Sequence, residues 1–142
     1  MTRFAVDVLD VLLNLLRPAL PGVNVMSRIP DHVPEYLPLV VIRRTGGDSP
    51  APKFYDQPLT NVQCWCAENP DAGIDADRAA SDLADQVRGV LWQAWRTQQV
   101  VSGYGWISRL RESSGPREVT DPDLPLLGRV SATYDLRIRP VS

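Results

Sequence analysis

The chain has 142 residues, a net charge of −2, 44% apolar and 23% charged residues, which suits one soluble domain with a real core. The charge balance gives no global electrostatic case for nucleic-acid binding. Fourteen of the fifteen basic residues are Arg, and Lys53 is the only Lys. Arg suits planar, multi-donor pairing at interfaces, although a GC-rich codon bias explains the same count.

The first element is "FAVDVLDVLLNLL", 4–16. At helical spacing Arg3, Asp7, Asp10 and Asn14 form one narrow stripe, and the rest of the circumference is apolar. A surface helix of a monomer shows a narrower apolar face. The pattern therefore predicts burial of both flanks, one against the chain's own sheet and one against another chain, with Val8, Leu12 and Leu16 at that second contact. Pro18 and Pro21-Gly22 are expected to stop the helix. Asp7 and Asp10 interrupt the run, and about 20 apolar residues are needed to span a bilayer. Neither a membrane anchor nor a secretory leader is expected, and the chain is expected to stay in a cytoplasm.

"VNVMSRI", 23–29, alternates weakly and reads as a strand, followed by a proline-rich loop at 30–38. "LVVIRR", 39–44, reads as a buried strand. The segment "TGGDSPAPKFYDQP", 45–58, is rich in Gly and Pro yet carries Lys53, Phe54 and Tyr55. Long loops of this kind are functional or disordered. It is read as a projecting arm. Residues 59–67 form the third predicted strand, and "NPDAG" turns into the longest predicted helix, 74–95. Asp75 is its expected N-cap, and Asp75 and Asp77 suit the helix dipole. Ala79, Ala80, Leu83, Val87, Val90, Leu91 and Ala94 share one face. Trp92 sits on the polar face, which makes it a candidate partner contact unless another segment folds over it. A strand is expected at 103–112, with Arg109 and Arg111 on one face, and a long turn at 113–128. The last strand, "RVSATYDLRIR", alternates cleanly, so one face is buried and one polar.

Strands in groups, rather than alternating with helices, indicate an α+β fold. A mainly antiparallel or mixed sheet of four to five strands is expected, with two helices packed on one face, in a single domain over 1–142.

Chemistry-bearing motifs are sparse. Cys64 and Cys66 would share one strand face with Val62, leaving Gln63 and Trp65 on the other. A zinc site usually needs two separated ligand pairs, and here one CxC stands with a single distant His32. A disulfide between strand residues two apart would span about 6.5 Å or more and be strained. The cysteines are therefore read as core packing beneath a helix. His32 has no defensible acid partner or nucleophile, and neither Gly46-Gly47 nor "SGYGW" opens into a helix as a phosphate loop must. No catalytic, cofactor or metal site is expected.

The order of elements is more informative. An amphipathic N-terminal helix and the arm precede "NVQCWCA", which leads directly into "DADRAASDLADQVRGVL". The chain ends with "TDPDLPLLGRVSATYDLRIRP", an acid-Pro turn into one long strand. Over nearly its whole length this resembles the tail terminator proteins of long-tailed, siphovirus-type bacteriophages. The resemblance implies a non-enzymatic protomer of a six-fold ring at the head-proximal end of the tail tube. Its implied partners are further copies of itself, the major tail tube protein and a head completion (neck) protein. Genomic DNA would pass through the lumen without specific binding. The implied location is the virion tail, after assembly in the host cytoplasm. Helix 1 and the 45–58 arm are the expected sticky patches, since a ring needs two unlike surfaces. The rival readings are a neck protein of the same phage type and, further off, a small α+β enzyme.

Overall fold

The computed structural model describes residues 5–141. Arg3 and Phe4, assigned above to the first helix, lie outside the described residues. Helix α1 (Val8–Ala19) is capped by Asp7, whose carboxylate accepts from the Leu9 amide at 2.9 Å. It runs through Pro18 rather than stopping there. In the last turn the carbonyl that Pro18 leaves unbonded belongs to Asn14, on the exposed side, where water can satisfy it.

A five-stranded mixed sheet follows, in the order β1-β2-β3-β5-β4. Strand β1 (Asn24–Met26) pairs parallel with β2 (Leu39–Ala51). The remaining pairings, through β3 (Tyr55–Cys66), β5 (Gly128–Arg139) and the edge strand β4 (Trp106–Glu118), are antiparallel. Helix α2 (Ala76–Arg96) precedes β4, and its N-cap Asp75 accepts from the Arg78 amide at 2.7 Å. The fold is α+β, with the main core between both helices and one sheet face.

That core explains the wide apolar arc of α1. Val8, Leu12 and Leu16 are at most 1% exposed, within the chain's own core. Helix α1 packs on β2, β1 and α2, so its wide apolar arc, assigned above in part to another chain, is covered within the chain itself. These three side chains therefore belong to the core and offer nothing to a partner.

The 45–58 segment also differs from expectation. It is not an irregular arm: β2 continues to Ala51 and β3 starts at Tyr55, so only residues 52–54 turn. The prolines are tolerated because they fall where ladder bonds are already interrupted. Pro50 lies within the register shift between Asp48 and Ala51, and Pro58 falls in the gap of the β3–β5 ladder between Asp56 and Leu59. Gly47 has φ +91, and a Cβ there would stand 2.1 Å from the Gln57 carbonyl oxygen, so only glycine fits this bulge. Likewise β4 extends to Glu118 across Pro116, where a turn was expected. As an edge strand it has one side free of ladder bonds, which lets it hold a proline.

The second sheet face is partly covered. Trp65, Leu39, Val41 and Val33 form a small core there, packed against Tyr36, Leu37, Leu124 and Leu127. The rest of that face is a polar ladder. Asn61 donates to Ser131 Oγ at 2.8 Å, and Arg129 donates to Gln63 Oε1 at 2.9 Å.

Candidate assembly surfaces

Cys64 and Cys66 sit in the main core, with Gln63 and Trp65 on the opposite face. Burial pushes the Cys64 thiol up to about 12, helped by Cys66, and the Cys66 thiol up to about 11, helped by Asp82. Burial also raises the Tyr134 hydroxyl. The folded chain therefore keeps protons that the unfolded chain releases above the ordinary thiol value of 9.0. Stability from these groups is complete below that pH and is lost as pH rises from about 9 towards 11–12. Two outcomes are expected. The melting temperature falls steadily above pH 9, and a thiol reagent at pH 8 labels neither cysteine until denaturant is added. Circular dichroism melts and mass spectrometry of the labelled chain check both.

His32 lies on the rim of an open groove of about 790 Å³ bounded by Arg17, Met26, Arg28 and Tyr36. Its ring stands 3.7 Å from Glu35, and both side chains are about two-thirds exposed. Among the described residues, no helix is long and apolar enough to cross a membrane.

The features of the 45–58 hairpin gather at one end of the sheet. Register places the 52–54 turn, the end of β5 and the start of β4 side by side, through Asp56↔Ile138 and Trp106↔Arg139. Phe54 at the turn is 68% exposed, next to exposed Lys53. Tyr55 is half-buried, with the guanidinium groups of Arg137 and Arg139 at 5.0 and 5.7 Å from its ring. The turn is anchored from inside. Asp56, 2% exposed, accepts from both Arg44 and Ser49.

Trp92, near the C-terminal end of α2, is 50% exposed, and no segment among the described residues covers that half. Its ring meets Trp95 edge-on, with centroids 5.2 Å apart, and Trp95 Nε1 donates to the Ser108 carbonyl at 3.3 Å. Trp92 thus rests on Trp95, which is itself tied to β4, while half of Trp92 stays exposed. Val100 and Tyr104, in the following loop, are also exposed. Sequence reasoning missed this pair, although the glycines flanking Tyr104 marked a turn. Leu126, the most exposed large apolar residue among the described residues, was missed too, inside the 119–127 turn. Arg109 and Arg111 are exposed on the polar sheet face, opposite Arg137 and Asp135.

The structure thus brings Lys53, Phe54 and Tyr55 together at one hairpin end. Arg109 and Arg111 share the polar sheet face with Arg137, which stands over Tyr55, whereas Trp92 lies on α2 in the opposite layer. These features suit binding to other proteins. A search of curated proteins found no match. The family model described as phage tail termination protein matches residues 4–141, nearly the entire length, and the chain belongs to that family of structural phage tail proteins.

Proposed function

We propose that this chain, acting as one domain over 1–142, closes into a hexameric ring on the head-proximal end of the finished tail tube. There it stops addition of tube subunits and gives the head completion (neck) protein a surface to join. The major tail tube protein lies on one side of the ring and the neck protein on the other, and genomic DNA passes through the lumen without specific binding. Assembly takes place in the host cytoplasm.

The observation that carries this reading is a pair of unlike, exposed aromatic patches on firm supports: Phe54 on the hairpin turn and Trp92 on α2. A ring that closes by rotation needs two different surfaces per protomer, because each contact joins unlike patches. Exposed aromatics held by packing are the residues that dominate such contacts. Lys53, Tyr55, Arg109 and Arg111 complete the proposed contact set.

Native mass spectrometry, with negative-stain images of the chain alone and with purified tail tubes, tests this. The expected particle is six copies of the 15.8 kDa chain, about 95 kDa, or a ring capping one tube end. Phe54→Ser with Trp92→Ser is expected to weaken assembly at least about tenfold with little change in melting temperature. A chain that stays monomeric and leaves tube ends bare overturns the reading.

A further inference from the structure

The chain's small net charge hides a separation between its two faces. On β5, Arg129, Arg137 and Arg139 alternate with the core residues and so occupy the sheet face away from the helices. Register puts Arg109 opposite Arg137, Arg111 opposite Asp135 and Arg117 opposite Ser131, all on that same face. Arg43, opposite Asn61, joins them from β2. Half of the chain's arginines therefore stand on one face, whose strand positions carry two acids, Asp48 and Asp135.

None of these arginines has a salt-bridge partner among the described residues. The four bridges found among those residues are His32–Glu35, Arg44–Asp56, Arg78–Asp82 and Arg88–Glu112. Arg129 and Arg137 donate only to glutamine carbonyl oxygens, at 2.9 and 3.1 Å, and the Nε of each is buried without an acceptor. Trp65, 2% exposed beneath Arg129, has an unpartnered Nε1 as well. The face is rich in donors and short of acceptors.

The opposite layer shows the converse. Between Glu68 and Asp85 the chain carries six acids and one base, Arg78, all of them exposed. Apart from Asp82, which pairs with Arg78 at 3.4 Å, those acids make no salt bridge among the described residues.

We infer that the arginine-bearing sheet face docks on the acidic start of α2 in a second copy of this chain. The contact joins unlike surfaces from opposite layers, as a ring requires, so it deepens the ring reading and rests on it. Arginine forks match carboxylates in pairs, and complementary charge sets register and encounter rate. A protein surface is favoured over DNA by Asp48 and Asp135 within the face. A phosphate backbone would repel both, whereas the start of α2 supplies Arg78 to meet them.

The test uses two charge-reversed chains, Arg109→Glu/Arg111→Glu and Asp82→Arg/Asp85→Arg, at exposed positions. Thermal melts are expected to match the unchanged chain. Each variant alone is expected to lose ring formation and tube capping at least about tenfold. Mixed in equal amounts, the two should restore a ring of alternating copies, since six is even. That rescue also shows that both variants fold. Loss without rescue on mixing, or rings unaffected by either change, overturns the proposed surface while leaving the ring intact. Binding of duplex DNA that Arg109→Glu/Arg111→Glu abolishes, with rings unchanged, assigns the face to nucleic acid instead. An unchanged chain that neither forms rings nor caps tubes overturns the ring itself.

Discussion

Leu12→Asp is expected to leave no folded protein, as soluble monomer or as ring. Leu12 is 0% exposed and packed among Val8, Leu15 and Leu16 of its own helix and the sheet beneath. Removing a buried leucine side chain costs about 2–5 kcal/mol. Placing a carboxylate in the same apolar site adds several kcal/mol, because no cation or donor waits there. The sum reaches the whole stability of an ordinary domain, about 5–15 kcal/mol. Leu12→Ala is the graded version and should lower the unfolding free energy by about 2–5 kcal/mol. Urea titration followed by circular dichroism measures both. A folded Leu12→Asp monomer that merely fails to assemble would put Leu12 at a subunit contact and contradict its place in the core.

Gly128→Ala should be nearly as damaging, though it adds a single carbon. Gly128 opens β5 opposite Cys66, directly beneath the first turn of α2. A Cβ there would stand 2.0 Å from the Ala76 carbonyl oxygen and 2.7 Å from the Asp77 amide nitrogen. Those atoms are backbone, so nothing flexible can turn aside. Either the start of α2 lifts from the sheet or the β3–β5 register yields at Cys66. Overpacking a core usually costs about 1–3 kcal/mol, and a clash with helix backbone belongs at or above the top of that range. Gly89, on the exposed side of α2, has open space where a Cβ would stand, with nothing within 4 Å. Gly89→Ala is the control and should stabilise by up to about 1 kcal/mol. Equal melting temperatures for the two variants would show that Gly128 is not a point of close approach.

Regular periodicity was the legible part of this sequence. The alternation from Arg129 to Arg139 and the apolar face of α2 led directly to β5 and α2, and the spacing of Cys64 and Cys66 led to their side of the sheet. The 45–58 and 113–118 segments misled because Gly and Pro are usually read as breaks. Here they sit at bulges and on an edge strand, and only the partner strand reveals that those positions are free of ladder bonds. The breadth of the apolar arc on α1 was visible, but what covers it was not. Periodicity shows how much of a helix is buried and is silent on whether the cover comes from the same chain. Exposure at Phe54 followed from residue type and setting, whereas at Trp92 cover by another segment was left open by the sequence, and the structure leaves half of the ring exposed. Alternation alone put Arg129, Arg137 and Arg139 on one face of their strand, but their union with Arg109, Arg111, Arg117 and Arg43 depends on how the strands register.

The bulged hairpin at 45–58 also bears on how fast and how tightly copies can join. A flexible loop of that length would have to be ordered at the moment of contact, at about 1–2 kcal/mol for each residue fixed. Here the backbone is already shaped when the chain folds, by pairing of β2 with β3, by the Asp56↔Ile138 pair with β5 and by the buried Asp56 with its two donors. In the proposed ring, Phe54 would therefore meet the neighbouring copy from a mount already shaped by folding. The encounter resembles two preshaped solids meeting, with association limited by orientation and not by a search among loop conformations.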